Sequence, residues 1–514
     1  MTPLKVAFRA DASLQIGTGH VMRCLTLAST LRHAGCECLF VTRDLQGHLA
    51  EQIEALGFQV KRLPVPEPGF ETSSGPAHAA WAGVSWQVDA AECQAAVAAF
   101  QPDWIVLDHY AFDERWEREL RSNADCRLLV IDDLADRRHC ADLLLDQTAG
   151  RSEEDYRDLV PANCKILAGT RYSLLREEFS NARPTALLGR NRPAVRNILV
   201  TMGGVDLDNA TTGILTSLAE AGLPEETRVT VVLGRHAPNL ETVRETAANV
   251  PFSCDVLCDV GNMADLMSEA DIAIGAGGTS TWERCCLGLP SIIVVLAQNQ
   301  SEVARVVSRS GASLVADSLR SNVLAEALDR LASVAFRTEM SESAAAICDG
   351  DGSWRVVSQL LTGDLDLRPA TIGDARRVFD WRNAIQDESF FLSNDRPTYQ
   401  QHYKWFETAL ADPQRQMLIC MIGGCGLGYL RFDKTPDNGA EISICLDRLA
   451  QGQGIGTKVL QKAENYAIGM RVGKLRAKIN VDNHASIRAF TNAGFRPHSQ
   501  DGPFATYQLT IQGV

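Results

Sequence analysis

"DIAIGAGGTSTWERCCLGLPSIIVVLAQNQ" runs from Asp271 to Gln300. It reads as a strand ending in Gly275-Ala276-Gly277-Gly278, a helix starting around Thr279–Thr281, a Gly288-Leu289-Pro290 turn, and a strand Ser291–Leu296 leading to Gln298-Asn299-Gln300. Glycines at a strand end let a ligand approach the backbone, and a helix start offers unpaired N–H groups, so the pair suits a pyrophosphate. Gly277, Gly278 and Thr279 are the candidate phosphate contacts. Glu283, in the first helical turn, can accept hydrogen bonds from ribose hydroxyls, and Asn299 and Gln300 offer amides to sugar hydroxyls. A glycine cap with ordinary surface amides explains each residue separately but not the ordered set.

Around this stretch lies a series of short apolar runs alternating with helical patterns, as in α/β folds. Strands are expected at Asn197–Thr201, Arg228–Leu233, Phe252–Leu257, Ile272–Gly275 and Ser291–Leu296. Helices are expected at Asp208–Ala221, Leu240–Ala248, Met263–Glu269 and Thr281–Leu287. Upstream, Lys5–Arg9, Glu37–Val41, Trp104–Asp108, Arg127–Ile131 and Leu143–Leu145 read as a first parallel sheet. "NARPTALLGRNRPAVRN" (Asn181–Asn197) holds two prolines and four arginines with little periodicity, and reads as a linker. "TGDLDLRP" (Thr362–Pro369) marks a second break, after which the strands look antiparallel. The expected division is 1–180, a linker 181–197, 198–361, and a last domain 365–514. A chain of 514 residues suits about three domains.

The net charge of −14 argues against a nucleic-acid partner, since phosphate backbones call for a basic face. The 15 cysteines are scattered without metal-ligand spacing, which suits a reducing compartment and no bound metal. The longest apolar run, Ile292–Ala297, is strand length, so no membrane span and a cytoplasmic location are expected.

At the N-terminus, "RADASLQIGTGHVMRC" (Arg9–Cys24) carries a strand end into Gly17-Thr18-Gly19 and a helix. Gly17 and Gly19 can admit an anion, while Asp11 and Ser13 flank the loop as second-rank candidates that orient His20 or bind the sugar. His20 is either a helix-capping residue or a base. Tyr110, in "DHYAFD", ends a strand at the same sheet edge, where α/β ligand sites collect. Asp108 and His109 beside it are as readily simple loop-start residues. Gly203 and Gly204 in "TMGGVD" form another strand-end turn able to approach phosphate.

The glycine–helix–Glu283 order resembles the nucleotide-binding half of GT-B glycosyltransferases, which pair two Rossmann-like domains. "RADASLQIGTGHVMRCLTLASTLRHAG", "DWIVLDHYAFD", "IDDLADRRHCADLLLDQ", "ILVTMGGVD" and "GAGGTSTWERCCLGLP" together resemble the UDP-2,4-diacetamido-2,4,6-trideoxy-β-L-altropyranose hydrolases of pseudaminic acid biosynthesis over roughly residues 4–361. The resemblance implies that water has replaced a sugar acceptor and that His20 takes its proton, a role imidazole suits near neutral pH.

The last domain has its own motif. "EISICLDRLAQGQGIGTKVLQKA" (Glu441–Ala463) is a strand, a Q-x-x-G-x-G loop and a helix. It is followed by "LRAKINVDNHASIRAFTNAGFRPH" (Leu475–His498) and preceded by "LRPATIGDARRVFDWRN" (Leu367–Asn383). This order resembles Gcn5-related N-acetyltransferases, an α+β fold. The resemblance implies acetyl-CoA as co-substrate at Gln451, Gly452, Gly454, Gly456 and Thr457, with Asn483 and Ser486 near its arm. Glu441 is the candidate base, or an ordinary surface carboxylate. Phe490 stands where many members carry a tyrosine acid, leaving Ser486, Tyr429 or solvent for that step. Trp381, Arg382 and Asn383, with Trp405 in "HYKWFE", resemble acetyltransferases acting on nucleotide-linked amino sugars, where an aromatic can stack on a base or sugar and Arg382 can meet a phosphate; core packing is the alternative for both tryptophans and the favoured one for Trp405.

The expectation is an α/β chain: a GT-B-like pair of Rossmann-like domains followed by the acetyltransferase. It would acetylate the 4-amino group of a UDP-linked amino sugar and hydrolyse the diacetamido product to UDP and free sugar. The alternatives are a glycosyltransferase or a UDP-sugar sensor, fused to an acetyltransferase for another amine.

Overall fold

The computed structural model describes residues 3–511 apart from 68, 70–74, 123–124, 236, 296–299, 362–363, 384–396, 423–424, 448–449 and 453, and without the side chains of 300 and 302. Two parallel sheets lie in one compact unit, Val6–Ser29 with Cys38–Val356, and a mixed sheet lies in a unit built on Val357–Val514.

The first sheet contains β1 (Lys5–Ala10), β2 (Glu37–Arg43), β3 (Gln59–Leu63), β4 (Trp104–Asp108), β5 (Arg127–Ile131), β6 (Leu143–Asp146) and β7 (Lys165–Ala168). Their order is β3-β2-β1-β4-β5-β6-β7. The strand order therefore reverses between β1 and β4, which opens a crevice beyond their carboxyl ends. The second sheet repeats the plan with β8 (Asn197–Thr201), β9 (Arg228–Leu233), β10 (Ser253–Cys258), β11 (Ile272–Ala276), β12 (Ser291–Val294) and β13 (Leu314–Ala316). Its order, β10-β9-β8-β11-β12-β13, reverses between β8 and β11. The central strands are apolar on both faces because helices cover both: β4 and β11 are buried at every position. β3 and β7 edge the first sheet and β13 edges the second; β3 is charged, and β7 and β13 are only 4 and 3 residues long, so the sequence signalled none of the three.

The segment 181–197 differs from the expected irregular linker. A helix, Glu177–Leu188, runs through its first half with Pro184 inside. Proline removes a helical hydrogen bond, which hid the helix from a periodicity reading. Burial holds it: Phe179 and Ala186 join the core of the second sheet, with Trp282, Cys286 and Ala344. The arginines that made the segment look solvated are bolts. Arg183 donates to the carbonyls of Cys348 at 2.9 Å and Ala345 at 2.8 Å, and Arg190 to those of Leu287, Ala270 and Met267 at 2.7–3.0 Å. Several of these carbonyls end helices and have no partner in their own helix.

The third sheet contains β14 (Asp366–Pro369), β15 (Arg415–Ile422), β16 (Cys425–Thr435), β17 (Gly439–Leu446), β18 (Lys474–Asn480), β19 (Arg496–Asp501) and β20 (Phe504–Thr510), ordered β14-β15-β16-β17-β18-β20-β19. β17 and β18 are parallel and pair only at Gly439↔Lys474, Ala440↔Leu475 and Glu441↔Arg476. Beyond Glu441 the two strands part, so the sheet splits along the rest of β17. One sheet face packs Met417, Ile419, Tyr429 and Cys445 against Trp381 and Phe406 of the helices Ala375–Asn383 and Tyr399–Ala411.

Candidate functional site

β1 ends in buried charge. Arg9 and Asp11 are fully buried, and Arg9 bridges Asp11 (2.6 and 2.8 Å) and Asp89 (2.6 and 3.1 Å). Asp11 Oδ1 also accepts from the Arg43 N–H at 2.7 Å and the Thr42 hydroxyl at 3.2 Å, and His109 Nε2 lies 3.2 Å from its other oxygen. Burial pushes the Asp11 pKa up, but Arg9 and His109 outweigh it and hold the carboxyl well below its usual range. Asp11, expected to contact substrate, thus has no exposed surface: it ties β1 to β2 beneath the loop. Ser13 closes the loop, its hydroxyl accepting from the Ile16 N–H at 3.0 Å and its carbonyl from the Gly17 N–H at 2.8 Å. Gly17 has φ +80°, and open space lies where side chains would stand at Gly17 and Gly19.

His20 sits in the first turn of the helix Gly19–His33, 8% exposed. Its Nδ1 lies 2.6 Å from Asp108 Oδ1, at the end of β4. Asp108 is fully buried and is clasped by Arg23, with Nε at 2.6 Å and Nη2 at 2.7 Å. Burial raises the Asp108 pKa, but Arg23 and then His20 pull it further down, so it is a carboxylate. A carboxylate at Nδ1 keeps the proton on that nitrogen and leaves Nε2 as the acceptor. Arg23 also reaches Asp133, and Tyr110 donates its hydroxyl to Asp133 at 2.6 Å. Burial, with Asp133 beside it, pushes the Tyr110 pKa well up, so the phenol keeps its proton. The structure thus brings His20, Tyr110 and Asp108 together where the strand order reverses. Arg23 and Asp133 were missed; Arg23 stands one helical turn after His20, the spacing that puts both on one face.

At the second reversal the elements are mostly backbone. Gly203 has φ +97°, and neither Gly203, Gly204 nor Gly278 has an atom within 4 Å of an added Cβ. Thr279 stands at the N-cap position of the helix Ser280–Cys286 without a side-chain capping bond, just after Gly277-Gly278. Glu283 meets Arg176 Nη2 at 3.5 Å, and Arg176 also pairs with Glu178 at 2.8 Å. Burial raises the Glu283 pKa, with Arg176 opposing. Asn299 lies outside the described residues, and Gln300 opens the helix Gln300–Arg309.

In the third sheet, Gly452 and Gly454 both have left-handed φ, +71° and +74°, with nothing within 4 Å of an added Cβ. Gly454 caps the helix Ile455–Gly469, so the loop offers open backbone at a helix start. Thr457 is half-buried in that helix, and Gly456 packs closely, an added Cβ meeting Leu446 at 3.3 Å. The Gln451 amide is engaged with the Leu446 carbonyl at 3.0 Å. Asn483 caps the helix His484–Asn492, its Oδ1 accepting the Ser486 N–H at 3.0 Å. Glu441 is the last β17 residue paired with β18 and stands at the mouth of the split. Strand register puts it on the face of Tyr429 and Cys445, under the helices Ala375–Asn383 and Tyr399–Ala411. Arg382 is half-buried at the end of the first of these helices. Trp381 is core, donating its indole N–H to Asp447 at 2.6 Å. Phe490 is buried edge-on to Phe495. Tyr429 is buried too, and burial with Cys445 nearby raises its pKa, so the phenol keeps its proton.

These features define the class. Residues 197–348 match the glycosyltransferase family 28 C-terminal domain, and residues 364–496 match the GNAT acetyltransferase domain. The crystal structure of Acinetobacter baumannii MurG superposes with a TM-score of 0.51 at 16% identity, covering 70% of this chain and 99% of that one. The chain is therefore a GT-B-like fold followed by a GNAT acetyltransferase domain. Its N-terminal part is homologous to the UDP-2,4-diacetamido-2,4,6-trideoxy-β-L-altropyranose hydrolase of Campylobacter jejuni, 26% identical over 308 residues, 60% of this chain and 97% of that protein. An uncharacterised protein of Methanocaldococcus jannaschii is 23% identical over 518 residues, covering 96% of this chain and 97% of its own length, so it spans both parts. No helix among the described residues is long and apolar enough to cross a membrane.

Proposed function

We propose that the chain is bifunctional. Its GT-B-like part hydrolyses a UDP-linked diacetamido-trideoxy sugar to UDP and free sugar, and its GNAT domain acetylates the amino group of the sugar's UDP-linked precursor. The observation that carries the hydrolase reading is the His20–Asp108 pair at 2.6 Å at the strand-order reversal of a chain homologous to such a hydrolase. His20 Nε2 accepts a proton from water as the water oxygen bonds to the anomeric carbon. The bond from that carbon to the diphosphate oxygen breaks, and its electron pair leaves with UDP. Asp108 stabilises the resulting imidazolium and fixes the ring, and Arg23 keeps Asp108 ionised. UDP is read by the open glycines at 203, 204 and 278 and the neighbouring backbone of Gly277, with Glu283 as ribose acceptor once Arg176 gives way.

In the GNAT domain the split beyond Glu441 leaves one side of β17 without a strand partner, able to hydrogen-bond the amide-bearing arm of acetyl-CoA. The Gly452–Gly454 loop receives the pyrophosphate. The sugar amine attacks the thioester carbonyl, the C–S bond breaks, and CoA leaves as thiolate. Glu441, at the mouth of the split, takes the amine proton through water. Use of acetyl-CoA fits a cytosolic enzyme.

Mass analysis of full-length protein given acetyl-CoA and candidate UDP-amino sugars tests both steps. The expected products are the N-acetylated UDP-sugar and then UDP with free sugar, water alone sufficing for release. In ¹⁸O-water the label enters the sugar. Label confined to UDP, or release only when an acceptor is added, overturns the hydrolase reading. Gly454→Glu should abolish acetyl transfer and spare hydrolysis of preformed diacetamido substrate.

A further inference from the structure

We propose that Trp81, His78 and Tyr110 form an aromatic wall beside His20 that receives the apolar substituents of an N-acetylated 6-deoxy sugar and so selects it over its 6-hydroxy counterpart. The identity of the sugar rests on the proposed hydrolase function; the wall itself rests on geometry. Tyr110 stands edge-to-face to His20 at 4.5 Å, and Trp81 does so at 6.5 Å. Trp81 and Tyr110 lie 6.0 Å apart and only 30° from parallel. His78 packs on Trp81 at 4.3 Å and lies 5.8 Å from Tyr110.

The wall is held in place. The Tyr110 hydroxyl is fixed by Asp133. Trp81 rides on the 3-10 turn Ala79–Ala82, closed by Gly83 at φ +69°, where an added Cβ would come within 2.5 Å of Pro66. The turn thus requires glycine and fixes the indole's starting point. Trp81, His78 and Tyr110 are each half-buried as residues, beside the nearly buried imidazole. Burial also lowers the His78 pKa, which favours its neutral and less hydrated ring.

Aromatic faces gain from covering a methyl group and cannot satisfy a hydroxyl. One such group against an apolar pocket is worth roughly 10–100-fold in discrimination. Trp81 and His78 have no part in the proton transfer, so the wall can be altered without touching it.

The test compares UDP-2,4-diacetamido-2,4,6-trideoxy and UDP-2,4-diacetamido-2,4-dideoxy hexoses on full-length protein, by UDP release and by competitive binding. Wild type should favour the trideoxy sugar by about 10–100-fold in kcat/KM and in affinity. Trp81→Ala should collapse that ratio towards one chiefly by losing the trideoxy sugar, whereas Trp81→Phe and Trp81→Leu keep most of it, with UDP affinity unchanged throughout. A ratio near one in wild type, or an unchanged ratio in folded Trp81→Ala, overturns the wall. If neither sugar is hydrolysed, the hydrolase reading fails while the affinity ratio still decides the wall.

Discussion

The two parallel sheets share one strand plan but fill their crevices with different chemistry. Beyond β1 and β4 the floor is packed with charge: Arg9, Asp11, Asp89, Arg23 and Asp108 are all buried and paired. Beyond β8 and β11 the surface is open glycine backbone over a buried cation, Arg284, which donates to the Ala276 carbonyl at 2.9 Å, with Glu283 the acidic side chain singled out there. The two crevices divide the labour. A reacting group must be held in one geometry and one protonation state, which takes a network of fixed charges. A diphosphate needs only N–H groups and room.

The largest expected effect breaks the charged side. His20→Asn should lower kcat for UDP release by about 10²–10⁴-fold with a smaller change in KM. Asp108→Asn should follow it in direction, since an amide no longer dictates which ring nitrogen carries the proton. Steady-state kinetics on both variants decide this. A loss confined to KM would make His20 a binding residue.

Next in size is the network's stability. Asp89 holds Arg9 and Arg43 and accepts the Trp116 indole N–H at 3.0 Å. Asp89→Ala leaves two buried guanidinium groups short of a partner and should cost about 3–5 kcal/mol by denaturant unfolding. The pH dependence has a definite sign. Burial raises the Asp89 pKa, but Arg9 outweighs it, so the folded value lies below the ordinary 3.8, and Asp11 behaves alike. Their stabilisation is complete above about pH 4–5 and fades as pH falls through the depressed values. Asp89→Asn should flatten that acid limb.

The open side responds more mildly. Glu283→Ala removes a charged acceptor for ribose and should weaken UDP binding by about 1.5–3 kcal/mol, read by calorimetry. The Arg176 contact at 3.5 Å blunts the effect, since the free protein loses an ion pair as well. Unchanged UDP affinity would remove Glu283 from the site.

Glycine turns and strand ends were legible because they depend on local backbone. Gly17, Gly203, Gly452 and Gly454 are read directly from spacing, and all have positive φ. Partnerships across long separations were not. Asp108 lies 88 residues from His20, and Asp89 lies 80 from Arg9, so nothing local marks either pair. The helix Glu177–Leu188 was hidden by Pro184, and β3 by charges that suit a sheet edge. Asp11 misled in the opposite way: an acid beside a glycine loop looks like a ligand contact, yet arginines hold it inside.

The smallest expected effect separates two roles at one residue of the third sheet. Asn483 was read as a contact for the acetyl-CoA arm, and the structure gives it a capping bond to the Ser486 N–H at 3.0 Å. Only Oδ1 is used there, so the amide nitrogen remains a distinct donor for chemistry beyond the helix. Asn483→Ala should cost about 0.5–2 kcal/mol in unfolding, the range for a lost N-cap. Asn483→Asp keeps an acceptor of the same shape, and its charge suits a helix N-terminus, so stability should return. Acetyl-CoA KM then distinguishes the roles. If Asn483 only holds the helix, Asp restores KM together with stability. If its N–H₂ donates to the cofactor arm, Asp restores stability and leaves KM raised, because a carboxylate cannot donate.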